Sequence, residues 1–203
     1  MVDIMSLDDL EFAVQRMTAG SVSVGDWETL AYFARDRELV VELGTNLGTT
    51  TIMLAAIAQR VVTIDVFEKT DLIVDEVQRK AYVESMKHNC HTFGNIERKL
   101  AHYRNIEVVQ SLTVPAAERF PDNSIDMLFI DADHSEKGVE GDYEAYYPKV
   151  KKGGRFVFHD CLPKYPVFKF YVQKLLVDRR IAAEEYVAVG ISSMVVFRKV
   201  NEL

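Results

Sequence analysis

Val40-Val41-Glu42-Leu43-Gly44-Thr45-Asn46-Leu47-Gly48-Thr49-Thr50-Thr51 joins an apolar run to a helical pattern through a turn that holds two glycines. Gly44 allows a tight turn with its backbone close to a ligand, and Gly48 lets the new helix approach the sheet with its free N–H groups facing a crevice. A parallel α/β sheet binds ligands at such a point, so a nucleotide-like ligand is expected there. The spacing is Glu-x-Gly-x-x-x-Gly. Asn46 stands where the dinucleotide fingerprint has its second glycine and no third glycine follows in register, which disfavours NAD.

Outward from this turn, the runs Leu39 to Leu43, Val61 to Ile64, Ile106 to Val109, Met127 to Ile130 and Phe156 to Phe158 are short, continuous and separated by helical patterns. Such runs suit strands buried on both faces of a parallel sheet. Leu7, Leu10, Phe12, Val14 and Met17 are spaced for an amphipathic helix, and Asp26 is placed to cap a second helix through Leu30 and Phe33. A further helix is expected around Phe168 to Val177. Tyr186 to Val189 and Met194 to Phe197 flank Gly190-Ile191-Ser192 and read as a closing hairpin, giving an antiparallel edge. The segment Phe67 to Tyr103 is too long for one ordinary crossover and carries Tyr82, Met86 and Phe93 at helical intervals. One or two helices overlying a substrate are expected there.

The chain of 203 residues is 48% hydrophobic, enough for one domain with a sizeable core, and neither a repeat nor a proline-rich linker marks a boundary. Residues 1–37 read as an N-terminal helical segment and 38–199 as the core, with a helical insertion at about 67–103. A formal charge of -7 argues against wrapping nucleic acid by neutralising many phosphates. A small-molecule partner is expected instead, with a homo-oligomer left open. Cys90 and Cys161 form no disulfide framework and no zinc-type pair. With an acidic N-terminus and no apolar run of membrane-spanning length, a soluble cytoplasmic protein is expected.

Asp65 ends the second run about 20 residues after the glycine turn, where an acidic side chain accepts hydrogen bonds from ribose hydroxyls. Two further runs also end in acid: Ser124-Ile125-Asp126-Met127-Leu128-Phe129-Ile130-Asp131-Ala132-Asp133-His134-Ser135, and Gly153-Gly154-Arg155-Phe156-Val157-Phe158-His159-Asp160. Neighbouring strands lie about 4.8 Å apart, so Asp131 and Asp160 could share one crevice and one hard cation. Glu140, Asp142 and Glu144 read as a solvated helix face, and Tyr143, Tyr146 and Tyr147 as packing residues.

The glycine turn resembles motif I of the class I S-adenosylmethionine (SAM)-dependent methyltransferases, and the order of elements from Glu38 to Lys199 is similar to their Rossmann-like fold. That resemblance implies a mainly parallel seven-stranded sheet with helices on both faces and an antiparallel terminal hairpin. It assigns Glu42, Gly44, Asn46, Gly48, Thr49, Asp65, Val66, Gln110, Ser111 and Asp131 to the cofactor, SAM. The two acid-ending strings resemble metal-dependent small-molecule O-methyltransferases of the catechol and caffeoyl-CoA type, and more closely bacterial cephalosporin-hydroxylase-like relatives. Asp131 and Asp160 match those enzymes' metal aspartates, implying a divalent cation such as Mg²⁺. Cys161 replaces their metal-binding asparagine, and a thiol is a poor magnesium ligand; His134 or His159 would shift preference toward a transition metal.

His134 matches the position of a lysine near the reacting hydroxyl in those enzymes, which implies a general base; His159 is the weaker candidate. The N-terminal helices with Trp27, the 67–103 insertion and Leu162 to Phe168 are the segments expected to meet substrate. Two other functions fit the same residues: a metal-independent N- or O-methyltransferase, and a SAM- or nucleotide-binding module without catalysis.

Overall fold

In the computed structural model, which describes residues 22–73, 76–86, 92–161, 186–188 and 193–199, the motif turn opens at the centre of a mixed sheet. The strands are β1 (Val40–Leu43), β2 (Val61–Asp65), β3 (Ile106–Gln110), β4 (Ile125–Ile130), β5 (Val150–Phe158), β6 (Tyr186–Ala188) and β7 (Val195–Arg198). Their order is β3-β2-β1-β4-β5-β7-β6. β1 pairs in parallel with β2 on one side and with β4 on the other, so the strand order reverses direction at the carboxyl end of β1. β7 runs antiparallel to both β5 and β6, the edge expected of the closing hairpin.

Alternation along each strand divides the core between two faces. On one face Val41, Leu43, Ile64, Leu128 and Ile130 pack with Val139, Tyr143 and Tyr146 of the helix Glu136–Tyr146. Phe156 and Phe197 stack in the same layer with ring centroids 4.9 Å apart. On the other face Val40, Val61, Met127, Phe129 and Val157 meet Trp27, Leu30 and Ala34 of the helix Val24–Ala34, and Met53 and Leu54 of the helix Thr49–Ala55. Each large side chain so buried contributes about 1.5–3 kcal/mol. Trp27 thus packs within the core.

Several sequence expectations change in detail. The helix Val24–Ala34 is capped by Ser23, with Asp26 at the third helical position completing a reciprocal capping box. β5 begins at Val150, well before Phe156, because its exposed Lys152 and its two glycines conceal a strand that shifts register against β4 between Ile125 and Met127. The 67–103 insertion contains a short 3₁₀ turn at Thr70–Leu72 and the helices Glu76–Met86 and Phe93–Leu100. Asp142 departs from the expected solvated face: it is 1% exposed, on the inward side of its helix. The expected helices from Ser6 to near Gly20 and at 168–177, the residues Gly190-Ile191-Ser192 and the segment 162–168 lie outside the described residues. Among the described residues no helix is long and apolar enough to cross a membrane.

Candidate functional site

The motif turn is fixed from three directions. Gly44 has φ +95°, and a Cβ there would overlap the carbonyl oxygen of Asp131 at the end of β4. The glycine is thus demanded by the neighbouring strand as well as by the turn. Gly48, at φ +72°, caps the helix Thr49–Ala55 and lies against Leu100 of the helix Phe93–Leu100, where a Cβ would come within 3.3 Å of the leucine methyls. Asn46 between them takes φ +46°, which asparagine tolerates better than most residues. Asp65 binds the turn from β2: its Oδ2 accepts from the backbone N–H groups of Thr45 at 3.0 Å and Asn46 at 3.1 Å. Its Oδ1 accepts from the Phe67 N–H at 3.0 Å and from the Tyr82 hydroxyl at 2.5 Å.

Glu42 lies beneath the turn in the middle of β1 and is fully buried. The threonine that faces it across β2, Thr63, donates to Glu42 Oε2 at 2.7 Å, and Thr51 donates to the same oxygen at 2.5 Å. Glu42 Oε1 has no hydrogen-bond partner among the described residues. Burial pushes the carboxyl pKa up to about 8, against the pull of the two threonine bonds. Thr45 joins the same network through Thr63, with their hydroxyl oxygens 2.6 Å apart.

The remaining cofactor candidates line the same end of the sheet. Thr49 opens the helix after Gly48 and is half-buried, and Val66 is buried directly after Asp65. Gln110 pairs in register with Asp65, and its Nε2 is buried. The Ser111 N–H donates to the Asp65 carbonyl at 2.9 Å. Glu68, which sequence reasoning passed over, accepts from the Phe93 N–H at 2.7 Å on this rim.

At the ends of β4 and β5 the two acids do converge. His134 Nε2 stands 3.3 Å from Asp131 Oδ1, and its Nδ1 stands 3.9 Å from Asp160 Oδ2. Asp131, His134 and Asp160 can bring one ligand atom each within 4.8 Å of one another. Two carboxylates and an imidazole suit a divalent ion, with the nitrogen favouring a transition metal over magnesium. Cys161 does not join them: its buried thiol lies against the carbonyl oxygens of Phe158, at 3.7 Å, and His159, at 3.4 Å. Asp160 takes φ +53°, a strained conformation just after β5.

Beneath this group lies a second layer that the sequence did not disclose. His159, 1% exposed, places Nδ1 3.0 Å from Asp131 Oδ1 and Nε2 3.5 Å from Asp26 Oδ2. Asp26 also accepts from the backbone and hydroxyl of Ser193, at 2.5 and 2.8 Å. Burial alone would lower the His159 pKa, but Asp131, with Asp26 and Asp160, pushes it up to about 10. Burial likewise works to raise the Asp131 pKa, yet His159 and His134 hold it below the ordinary carboxylate value. His134 is shifted upward, since Asp131 and Asp160 outweigh its burial. The geometry therefore joins anionic oxygens and basic nitrogens within a few ångströms of the motif turn, an arrangement able to hold a cation or to exchange a proton.

The profile of a family described as a methyltransferase domain matches residues 41–161, from the middle of β1 to the end of the acid cluster. The chain belongs to this methyltransferase family. Solved structures share the fold: the O-methyltransferase NovP has a TM-score of 0.64 at 16% identity, covering 88% of this chain and 81% of that one. A SAM-dependent O-methyltransferase from Thermotoga maritima has a TM-score of 0.60 at 16% identity, covering 98% of this chain and 73% of that one. A Streptococcus mutans protein crystallised with S-adenosylhomocysteine (SAH) has a TM-score of 0.56 at 11% identity, covering 86% of this chain and 96% of that one. An uncharacterized protein of Acanthamoeba polyphaga mimivirus is 35% identical over 77 residues, 38% of this chain. The chain spans only about a third, 34%, of the length of that relative.

Proposed function

We propose that this methyltransferase domain transfers the methyl group of SAM to a hydroxyl oxygen of a small molecule. One observation carries the reading: Gly44 of the motif turn is pressed against the backbone of Asp131, so the cofactor loop and the Asp131–His134–Asp160 group form one wall at the point where the strand order reverses. Glu42, Gly44, Asn46, Gly48 and Thr49 would shape the methionine side of the cofactor seat. Asp65 and Val66 would meet the ribose, and Gln110 and Ser111 the adenine. The SAH-bound Streptococcus mutans neighbour supports that choice of cofactor.

In this reading the acceptor O–H gives its proton to His134 while the oxygen attacks the methyl carbon. The C–O bond forms, the C–S bond breaks with its electron pair going to sulfur, and SAH leaves. The wall's contribution is alignment of oxygen, carbon and sulfur. Asp131 would stabilise the imidazolium that results. Asp131 and Asp160 fit a divalent ion, which when bound would lower the pKa of the acceptor hydroxyl. NovP and the Thermotoga maritima neighbour are O-methyltransferases, whereas another neighbour, from Streptococcus thermophilus, is an rRNA methylase. The net charge of -7 favours the small acceptor over a polyphosphate one.

Calorimetric titration with SAH and with NAD tests the cofactor directly. The expected result is saturable SAH binding and none of NAD, with Asp65→Ala weakening SAH by about 1–3 kcal/mol. Saturable NAD binding without SAH binding would discard the proposal.

A further inference from the structure

Asp65 is already hydrogen-bonded on both oxygens, which raises the question of how it receives a ribose. An ionised carboxylate offers about four lone-pair directions. Three of its donors are the backbone N–H groups of Thr45, Asn46 and Phe67. Those three shape the motif turn and the bend after β2, and a bound ribose leaves them in place. A further donor, the Tyr82 hydroxyl, comes from 17 residues away in the chain and reaches Oδ1 at 2.5 Å. A ribose hydroxyl is a donor of the same kind and would occupy the same direction.

The element carrying Tyr82 stands apart from the apolar core. No described side chain of the helix Glu76–Met86 belongs to the three apolar clusters of the core. Val77 and Val83 on that helix are 78% and 39% exposed, and its ion pair between Glu76 and Lys80 is internal and exposed. Burial and the Asp65 charge push the Tyr82 phenol above its ordinary pKa, so it stays protonated and remains a donor.

We propose that Tyr82 occupies the ribose seat of the cofactor-free protein, and that SAM or SAH binds by displacing its hydroxyl from Asp65. The inference rests on the reading of Asp65 as the ribose acceptor. Its consequence runs against the usual expectation for a residue lining a binding site: deleting one hydroxyl there strengthens binding. Tyr82→Phe keeps the ring and removes the competing donor, leaving water, a weaker competitor, in its place.

The test is calorimetric titration of SAH into the parent, Tyr82→Phe and Asp65→Ala proteins, each first shown to be folded by circular dichroism and a cooperative thermal transition. Tyr82→Phe is expected to bind SAH about tenfold more tightly, the scale of one hydrogen bond to a charged group partly offset by water. Asp65→Ala is expected to bind at least about tenfold more weakly. If Asp65→Ala loses affinity but Tyr82→Phe is unchanged or weaker, Tyr82 is a supporting contact and the displacement is refuted while the cofactor seat stands. If Asp65→Ala binds as the parent does, or no variant binds SAH, both the displacement and the ribose reading fall together.

Discussion

Glu42→Gln gives the sharpest test of how the site is built. The parent carboxyl is fully buried, with two hydroxyl donors on one oxygen and none on the other, and its pKa is pushed from 4.5 up to about 8 by burial. Below pH 4.5 the folded and unfolded chains both hold the proton, and Glu42 imposes no ionisation penalty. Between 4.5 and about 8 the unfolded chain releases it and the folded chain does not, so stability falls as pH rises. Above about 8 both states are ionised and the penalty is constant. At about 1.4 kcal/mol per pH unit, the interval amounts to roughly 5 kcal/mol, an upper bound if the unfolded chain or entering water shares the charge. Glutamine has the shape of the protonated acid and does not titrate. Urea unfolding of both proteins from pH 4.5 to 8.5 should therefore show the parent losing stability relative to the variant by several kcal/mol. The comparison cancels His159 and Asp142, which titrate in both. Identical pH dependences, or a parent that gains on the variant with rising pH, would refute the burial argument.

Gly44→Ala should destabilise the fold by about 3 kcal/mol or more, through the positive φ and the overlap with the Asp131 backbone, measurable as a shift in the urea midpoint. Asp160→Asn keeps a residue that tolerates positive φ, and should weaken Mn²⁺ binding at least about tenfold while leaving SAH affinity near the parent value, as read by calorimetry. A parent that binds no divalent ion with SAH and acceptor present would remove the metal from the mechanism. His134→Gln should lower single-turnover methyl transfer by roughly 100-fold. Because the His134 pKa is raised, the parent rate should climb with pH above the ordinary imidazole range, and that climb should vanish in the variant.

The strands were readable because both faces of the sheet are covered, which leaves runs such as Val61 to Ile64 unbroken by polar residues except Thr63. The end of each run then marked the site, since strand ends in a parallel sheet share one edge. What stayed hidden depends on contacts between distant parts of the chain. Asp26 meets Ser193 across 167 residues, and no local spacing announces that bond. Asp142 has the sequence surroundings of a solvated acid, yet it is buried in the same helix that buries Val139 and Tyr146. Tyr82 was visible as a helical interval, but its bond to Asp65 depends on how the insertion folds back. The threonines around Glu42 did carry a signal: a glutamate in the middle of an apolar strand requires donors, and Thr51 and Thr63 were the nearby candidates.

The link from Ser193 through Asp26 to His159 and Asp131 has a consequence for where this protein can be cut. The family match begins after Asp26 and ends before Ser193, so the recognisable stretch excludes two of the groups that close over the buried imidazole. A fragment trimmed to residues 41–161 would keep every motif and lose the Asp26 carboxylate that faces His159 beneath Asp131. Its His159 would face an open edge where the Asp26 carboxylate and the β7 strand had been. The family match marks the middle of this molecule, but the buried imidazole within it is held by an acid that lies ahead of the match and a serine that lies beyond it.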